Sequence, residues 1–360
     1  MKALIAAGGR ATRLRPITWT TNKHLIPLAN KPMLAHVIEK IVEAGITDII
    51  VNVNPGEVES MSAVLGDGSA FGAKLTYLEQ VGGAKGVAHV VANAEAHLKG
   101  ERFLFFLGDN IILGSIKKFV ERFEAEKLDC MLAFSRVKDP ARFGVPEFDA
   151  AGNLVRVVEK PEHPPSPFAV TGIYLYDERF FDAFKTIQPS ARGEYEISDV
   201  NSWYVKNGKV GYEEITGWWK DTGTPDALLE GNALIMDDLA RDQFRVDADI
   251  PDSSQVQGLV SIGKGTAIGA DVLIRGPVVI GKDCVLEHCY VGPYTAIGDG
   301  CTVKNAELEH SVLFPGARVE TGRRIVNSLL GFNATVSDSR ETHPKSGHRM
   351  VVGDDSLVEL

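Results

Sequence analysis

Long apolar runs and an excess of positive charge are both missing from this chain. No run approaches the roughly 18 residues of a membrane span, and the apolar stretch at the N-terminus, about five residues long, is too short for the core of a signal peptide. The net charge of −10 argues against a general affinity for nucleic acid or anionic membranes, because such binding needs clustered Lys and Arg. We therefore expect a cytoplasmic protein in which any polyanion site is local.

Cysteine is scarce, and none of the four cysteines has the Cys-x-x-Cys spacing of a zinc or redox site. We expect reduced, buried thiols. What the chain does have is 360 residues, 44% of them apolar and 24% charged, which suffices for two domains with large cores. The predicted boundaries are 1–240 and 246–340, followed by a C-terminal tail at 341–360 that is at best partly ordered.

Helices and strands alternate up to about residue 240, which predicts a mainly parallel, Rossmann-like α/β sheet covered by helices. The clearest helices are predicted at 33–44, 57–65 and 88–98, and the clearest strands at 3–7, 48–53, 75–78 and 103–107. Ligands of such sheets bind at the carboxyl ends of the strands. Gly8 and Asp109 each follow a strand closely, so we expect them to be neighbours in space.

From about residue 246 the pattern changes to a repeat of six residues. The repeated apolar positions are Ile262, Ile268, Ile274, Ile280 and Leu286, followed after one five-residue step by Val291, Ile297 and Val303. Such a period indicates a parallel β-helix, in which each coil stacks an Ile or Val on the coil below. Stacked coils leave flat faces and open ends, so this domain is expected to join subunits into a homo-oligomer, a trimer or a tetramer.

The first strand runs into a glycine pair, Gly8 and Gly9, and Arg13 and Lys23 follow. A double glycine lets backbone N–H groups turn toward an anion, which predicts a polyphosphate site. The loop is not a Walker motif, since no Gly-Lys-Ser/Thr follows, and it is not the G-x-G-x-x-G dinucleotide motif. The alternative is an ordinary strand-to-loop turn with solvated arginines.

Three linked blocks at 8–16, 22–27 and 30–33 resemble the G-G-x-G-T-R-L-x-P, K-x-L-x-P and K-P-M blocks of the sugar-1-phosphate nucleotidylyltransferases. The likeness covers roughly residues 1–340 and is greatest to the long form of the family, in which a GT-A-like domain precedes a left-handed β-helix. Ala11 departs from the pattern, since the family has a third glycine there, and glycine favours close approach of the backbone to phosphate.

The resemblance implies a Mg²⁺-dependent reaction in which glucose 1-phosphate attacks the α-phosphorus of dTTP and displaces pyrophosphate. It assigns Arg13 to the departing pyrophosphate, Lys23 to the triphosphate and Lys160 to the attacking phosphate. The implied nucleotide-binding residues are Gly8, Gly9, Ala11, Thr12, Gln80, Gly86 and Asp109. The same reaction with UTP or another nucleoside triphosphate or hexose 1-phosphate stays open, as does a non-catalytic sugar-nucleotide sensor.

Two aspartates are candidate metal ligands. Asp109 follows a buried strand, and Asp221 lies in a segment that resembles the family's W-x-D-T-G block. Mg²⁺ favours two carboxylates together with substrate phosphates, since it retains several waters, and by resemblance these two residues are its ligands. The alternatives are a turn or helix cap for Asp109 and a cap of the helix that starts at Pro225 for Asp221.

The sugar side resembles the family's sugar-phosphate cradle at Gly144, Glu159, Lys160 and Val170. By resemblance, the glutamate accepts hydrogen bonds from sugar hydroxyls and the lysine contacts the sugar phosphate, with Arg192 a distal contact. Relatives often have Tyr where this chain has Phe143, so that ring offers no hydroxyl.

The base-recognition segments resemble the family less closely. Gln80 corresponds to a glutamine whose amide contacts the pyrimidine edge, and Gly86 opens a block similar to G-L-A-H/Q that ends at His89. The intervening loop 81–85 is one residue longer than usual and has no proline, so we expect it to be more mobile. Nucleotide preference is therefore less firmly indicated than the reaction.

Hexapeptide acyltransferases also stack Ile and Val coils and commonly use a histidine base. His288 and His310 are the candidates here, and both are equally compatible with outward turn or coil-face positions. The repeat is short, about ninety residues, and ends without loops that would enclose a pantetheine arm. We therefore expect an assembly and regulatory element, whose deletion (246–360) affects the oligomer or its stability more than the chemistry.

Overall fold

The computed structural model describes residues 1–239, 241–338 and 354–359, in two compact units. The first unit contains Met1–Arg10 and Met33–Asp221, and the second contains Ala11–Pro32 and Thr222–Leu360. The segment with Arg13 and Lys23 is thus grouped with the C-terminal part of the chain. The predicted tail lies outside the described residues except for 354–359, and the predicted domain boundaries stay a prediction.

The helices predicted at 33–44 and 57–65 and the four predicted strands all form, with each end within one residue of its predicted position. The α-helices are α1 (Met33–Glu43), α2 (Val58–Leu65), α3 (Val87–Asn93), α4 (Glu95–Leu98), α5 (Lys117–Ala125), α6 (Phe180–Thr186), α7 (Ile197–Asn207) and α8 (Pro225–Asp238). The strands are β1 (Lys2–Ala6), β2 (Pro27–Leu28), β3 (Lys31–Pro32), β4 (Asp48–Val53), β5 (Lys74–Glu79), β6 (Phe103–Leu107), β7 (Asn110–Ile112), β8 (Cys130–Arg136), β9 (Gly144–Phe148), β10 (Leu154–Glu159), β11 (Phe168–Tyr176), β12 (Val210–Glu214) and β13 (Trp219–Asp221).

A seven-stranded sheet forms the centre of the first unit, in the order β12-β8-β11-β6-β1-β4-β5. All neighbouring strands pair in parallel except β11, which runs antiparallel to β6 and β8. The predicted mainly parallel α/β sheet is confirmed. Strand β6 is buried on both faces, since Phe103, Leu104, Phe105 and Phe106 are all 0% exposed, as expected for a strand covered by helices on two sides.

One predicted helix is divided in the structure. The pattern over 88–98 predicts a single helix, but α3 and α4 meet at Ala94, where φ is −90° and ψ is 8°. The N–H of Ala94 donates to the carbonyl of Val91, three residues back, which tightens the turn at this point. Ala94 and Leu98 are fully buried, so packing against the sheet outweighs the helical preference of alanine.

The C-terminal part of the second unit is a parallel β-helix, as predicted. Its strands are β14 (Gln255–Gln257), β15 (Val260–Ile262), β16 (Ala267–Ile268), β17 (Leu273–Arg275), β18 (Val278–Ile280), β19 (Val285–Glu287), β20 (Tyr290–Val291), β21 (Thr295–Ile297), β22 (Thr302–Lys304), β23 (Glu307–Glu309), β24 (Val312–Leu313), β25 (Arg318–Glu320), β26 (Arg324–Val326), β27 (Leu329–Leu330) and β28 (Thr335–Ser337). They form three parallel five-stranded sheets. Register pairs Ile262 with Ile280, Ile280 with Ile297, and Ile297 with Leu313, so the repeated apolar positions stack inside the coil.

The four cysteines are free and buried, as predicted. Three of them lie in the β-helix core, and burial raises the pKa of Cys289 and of Cys301 to about 12. His288 and His310 occupy coil corners, each with a φ of 47°. In the described part of the chain, no helix has the length and apolar character needed to cross a membrane.

Candidate active site

The two predicted ligand loops leave the sheet side by side. Strands β1 and β6 pair with Ala6 opposite Leu107, and the N–H of Gly108 donates to the carbonyl of Ala6. Gly8 and Asp109 therefore follow adjacent parallel strands at the same edge of the sheet, as the sequence predicts.

The glycine loop is held by a residue that sequence reasoning did not single out. Asn54 accepts from the N–H of Gly9 at 2.8 Å and donates to the Gly9 carbonyl at 3.2 Å. Gly9 has a φ of 105°, which requires glycine, and a Cβ on Gly8 would lie 3.1 Å from the Asn54 Oδ1. Because the Gly9 N–H is committed to Asn54, Gly9 contributes the turn of the loop rather than a donor for phosphate.

Ala11 adopts the left-handed conformation that the family's third glycine favours. Its φ and ψ are 42° and 45°, and Thr18 donates from Oγ1 to the Ala11 carbonyl at 2.8 Å. Alanine in this region costs about 1 kcal/mol relative to glycine. Position 11 is therefore left-handed although its residue is not glycine.

Arg13 and Lys23 each lie in a short 3₁₀ turn of the second unit, Thr12–Leu14 and Lys23–Leu25. Thr12 starts the first of these turns. Asn22 caps the second, because its Oδ1 accepts from the backbone N–H of His24 at 2.9 Å.

Asp109 and Asp221 are brought together by a short antiparallel ladder. Strand β7 pairs with β13 so that Asn110 stands opposite Asp221, and Asp109 directly precedes Asn110. Helix α8 is capped by Thr224, whose Oγ1 accepts from the N–H of Ala227. The alternative that Asp221 caps this helix is therefore wrong. Asp109 lies in the turn between β6 and β7, so its turn alternative holds and its helix-cap alternative is wrong.

Asn110 fixes the position of the Asp109 carboxylate. It is 3% exposed, and its Nδ2 donates to Asp109 Oδ1 at 2.8 Å. Its own Oδ1 accepts from Trp219 Nε1 at 2.7 Å and from the N–H of Gly172 at 3.2 Å. A buried amide with all these bonds formed is a rigid support for a neighbouring ligand.

The donor chemistry of this aspartate pair fits a hard divalent cation. No cluster of three or more His, Cys, Asp or Glu side chains that could hold a metal occurs among residues 1–239, 241–338 and 354–359. Two carboxylates that share the cation with substrate oxygens are typical of Mg²⁺, which seldom binds in an all-protein cage.

The sugar-side residues cluster around the β9–β10 hairpin. Gly144 pairs with Glu159, and Ser198 donates from Oγ to Glu159 Oε2 at 2.6 Å. A Cβ on Gly144 would lie 2.7 Å from the Ser198 Oγ, so any larger residue there would displace the serine side chain. Lys160 has a φ of 42°, and its Nζ lies 3.6 Å from Glu159 Oε1. The Val170 side chain, by contrast, is 6% exposed and packs in the core.

Arg192 joins the acidic groups on this side. Its Nη2 lies 2.9 Å from each Glu196 oxygen and 3.5 Å from Glu159 Oε1. Burial, followed by the charges of Glu196 and Glu159, raises the pKa of Asp199. Carboxylates gathered in this way are acceptors suited to sugar hydroxyls. The sequence predicts Arg192 as a distal contact, but only the fold shows that Ser198 supports Glu159.

One aromatic contact links the sugar side to the aspartates. The rings of Phe143 and Trp219 meet edge to face, with centroids 5.2 Å apart. Trp219 is also the donor to Asn110. Trp219 therefore contacts both Phe143, next to the sugar-side residues, and Asn110, which holds Asp109.

The predicted base-recognition residues lie at the start of α3 and the end of β5. Gln80 is 9% exposed, and its Nε2 lies 2.9 Å from His89 Nδ1. Gly86 has a φ of 97°, and a Cβ there would lie 2.6 Å from the Tyr195 carbonyl oxygen. The loop 81–85 between them is exposed.

Comparison with known proteins identifies the family of this chain. The profile of the family described as nucleotidyl transferase matches residues 2–238. A glucose-1-phosphate thymidylyltransferase from Streptomyces antibioticus is 38% identical, over 100% of this chain and 99% of that protein. A low-salt glycan biosynthesis nucleotidyltransferase from Haloferax volcanii is 36% identical, over 100% of both chains.

A solved structure is similar over the first part of the chain. It is that of a Bacillus anthracis protein assigned as a glucose-1-phosphate thymidylyltransferase, in complex with sucrose, and it is 41% identical with a TM-score of 0.62. The match covers 65% of this chain and 94% of that one. The chain belongs to the nucleotidyl transferase family of enzymes.

Proposed function

We propose that this protein is a glucose-1-phosphate thymidylyltransferase, which joins dTTP and glucose 1-phosphate to dTDP-glucose and releases pyrophosphate. The observation that carries the proposal is the aspartate pair: Asp109, held by Asn110, beside Asp221 at the ligand-binding edge of a parallel sheet. Full-length similarity to a glucose-1-phosphate thymidylyltransferase supports the choice of substrates.

Asp109 and Asp221 are the proposed ligands of Mg²⁺, which would neutralise charge on the phosphates when bound. Asn110 and Trp219 keep the Asp109 carboxylate in one orientation. The Asp109 side chain therefore does not have to be ordered during the reaction, which lowers the entropic cost of the step.

The proposed reaction is a single in-line displacement. A phosphate oxygen of glucose 1-phosphate forms a bond to the α-phosphorus of dTTP, and the bond from that phosphorus to the bridging oxygen of the β-phosphate breaks. The bonding electron pair leaves with pyrophosphate. Because this chemistry needs little covalent help from the protein, positioning and charge neutralisation supply most of the rate.

Three cations are assigned to the phosphates of the two substrates. Arg13 stabilises the departing pyrophosphate, Lys23 the triphosphate and Lys160 the attacking sugar phosphate. Gly8, Gly9, Ala11 and Thr12 form the loop beside the phosphates. The cradle of Gly144, Glu159 and Val170 receives the sugar, where Glu159 accepts from its hydroxyls. Val170 is assigned through its backbone, because its side chain packs in the core.

Gln80 and Gly86 are assigned to the base. A glutamine amide can pair with the imide edge of thymine or uracil, so UTP is expected to be a weaker second substrate. The free thiols support a cytoplasmic location, and the stacked strands of the β-helix support a homo-oligomer. Analytical ultracentrifugation of the full chain tests the oligomer, and a monomer across the micromolar range would contradict it.

The decisive experiment is a matrix of dTTP, UTP, dCTP, ATP and GTP against several hexose 1-phosphates, with detection of pyrophosphate. We expect the highest kcat/KM for dTTP with glucose 1-phosphate. A preference for ATP or GTP would contradict the base assignment, and dTTP binding without pyrophosphate release would point to a sensor.

A further inference from the structure

Gln80 presents a buried acceptor that no described residue satisfies. The residue follows β5, its backbone N–H donates to the Val53 carbonyl at 2.8 Å, and its side chain is 9% exposed. Among residues 1–239, 241–338 and 354–359, its Oε1 has no hydrogen-bond partner. An unsatisfied buried acceptor costs about 1–3 kcal/mol, so this oxygen is suited to a donor on a ligand.

The orientation of the Gln80 amide is set through a neighbouring asparagine. Asn93 Nδ2 donates to the backbone carbonyl of Val81 at 3.1 Å. A carbonyl can only accept, so the NH₂ group of Asn93 must lie on this side. The same NH₂ lies 3.4 Å from His89 Nδ1, which makes that ring nitrogen an acceptor.

His89 in turn orients Gln80. Because Nδ1 accepts, the imidazole is neutral and carries its proton on Nε2. The atom of Gln80 that lies 2.9 Å from Nδ1 must then be its NH₂ group, and the carbonyl of Gly83 is a second acceptor for it at 3.5 Å. The Oε1 atom is left facing away from His89.

The surroundings of His89 hold the ring in place and keep it neutral. The ring stacks on Tyr195, with centroids 6.2 Å apart and planes 18° apart. Burial, followed by the charge of Lys85, lowers the pKa of His89. Among the described residues, the titratable groups next to the His89 ring are Lys85 and Tyr195.

We propose that His89 is the positioning residue for pyrimidine selection: by accepting from Gln80 Nε2, it fixes Oε1 as a hydrogen-bond acceptor in the base site. The imide N3–H of thymine or uracil satisfies this acceptor. The N3 of cytosine carries no hydrogen and meets it with a lone pair, so dCTP is rejected. This inference rests on the proposed function and specifies how that site distinguishes its base.

Two full-length variants test the proposal. His89→Phe keeps a ring but removes the acceptor, so the Gln80 amide can rotate. His89→Asn retains an oxygen the same number of bonds from Cα as Nδ1. With glucose 1-phosphate as the second substrate, we expect His89→Phe to reduce the dTTP/dCTP ratio of kcat/KM by about tenfold or more. The loss should come mainly from a higher KM for dTTP, because a site with a fixed polar partner discriminates strongly between bases. His89→Asn should restore most of the ratio.

The wild-type enzyme provides a second readout that needs no variant. Protonation of His89 makes Nδ1 a donor, so Gln80 must turn its Oε1 toward the ring and present Nε2 instead. The dTTP/dCTP ratio should therefore fall as pH drops below the pKa of His89, and it should not fall in His89→Asn. If His89→Phe does not fold, as judged by thermal unfolding, this pH comparison decides.

An unchanged ratio in His89→Phe would overturn the inference, and so would an equal loss in His89→Phe and His89→Asn, which would indicate a structural role only. Wild-type preference for a purine would instead contradict the proposed function, before any variant is made. The two failures are thus distinguishable.

Discussion

Asn30 donates from Nδ2 to the carbonyl oxygen of Ile297 in the β-helix, at 2.6 Å. Ala29 and Asn30, with φ of 47° and 61°, form the left-handed pair of a tight turn between β2 and β3. Asn232 of α8 accepts from the N–H of Ala29 at 2.8 Å and donates to the Tyr294 carbonyl at 3.0 Å. The segment with Arg13 and Lys23 is therefore bonded to α8 and to the β-helix.

This network predicts a stability cost for Asn232→Ala. Asn232 is 0% exposed, and its loss leaves the Ala29 N–H and the Tyr294 carbonyl unpaired. We expect a decrease in the free energy of unfolding of about 1–3 kcal/mol, measured by denaturant titration. Asn207→Ala is the matched control, because Asn207 is exposed and its side chain donates to the Trp203 carbonyl within its own helix. Equal losses in the two variants would contradict a structural role for the network.

The aspartate pair predicts a loss of turnover without loss of fold. Asp109→Asn and Asp221→Asn each remove a charge with little change in volume, so kcat should decrease by about 10²-fold or more, as expected for groups that act on phosphate charge. The Mg²⁺ concentration for half-maximal rate should rise. Asp182→Asn, at an exposed ion pair with Lys185, should leave both quantities unchanged. Near-normal kcat in either active-site variant would show that the metal site lies elsewhere.

Arg13 is predicted to act on the leaving pyrophosphate. Arg13→Ala should lower kcat by about 10²-fold or more, because charge on that group develops in the transition state. The control is Arg156→Ala, since Arg156 is exposed and pairs with Glu147 on the β9–β10 hairpin. If the loss appears only in KM for dTTP, Arg13 binds the ground state and does not stabilise departure.

A substitution of Trp219 tests whether this residue helps to orient Asp109 through Asn110. Trp219→Phe removes the donor to Asn110 Oδ1 but keeps a ring against Phe143. We expect kcat to fall about 10-fold, in the range typical of residues that orient metal ligands. Trp203→Phe makes the same change where the ring packs on Tyr204 and should have little effect. A similar decrease in kcat in both variants would show that Trp219 does not act through the orientation of Asp109.

The parts of this molecule that sequence could predict are those set by local patterns. The six-residue repeat identifies the buried positions of the β-helix, and Gly8 and Asp109 are located because each follows an apolar strand. The helix over 88–98 was predicted without its break at Ala94, since that break depends on burial against the sheet.

The supporting residues of the site could not be predicted in the same way. Asn54 bonds Gly9 across 45 residues, and Asn232 bonds Ala29 across 203. Neither has a local pattern that distinguishes it from a surface asparagine. The role of His89 likewise depends on the geometry of three amide groups, which only the fold brings together.

Gly144 predicts a defect confined to the sugar substrate. In Gly144→Ala the new Cβ would lie 2.7 Å from the Ser198 Oγ, so Ser198, which is 1% exposed, must move and release Glu159 Oε2. We expect KM for glucose 1-phosphate to rise about tenfold or more while KM for dTTP changes little, since losing one hydrogen bond to a charged group costs about 1.5–3 kcal/mol. Ser198→Ala removes the same bond without a clash and should raise the same KM. Gly331→Ala is the control, because no atom of the described residues lies within 4 Å of a Cβ there. If both KM values rise together in Gly144→Ala, the hairpin is displaced as a whole and Glu159 is not the affected contact.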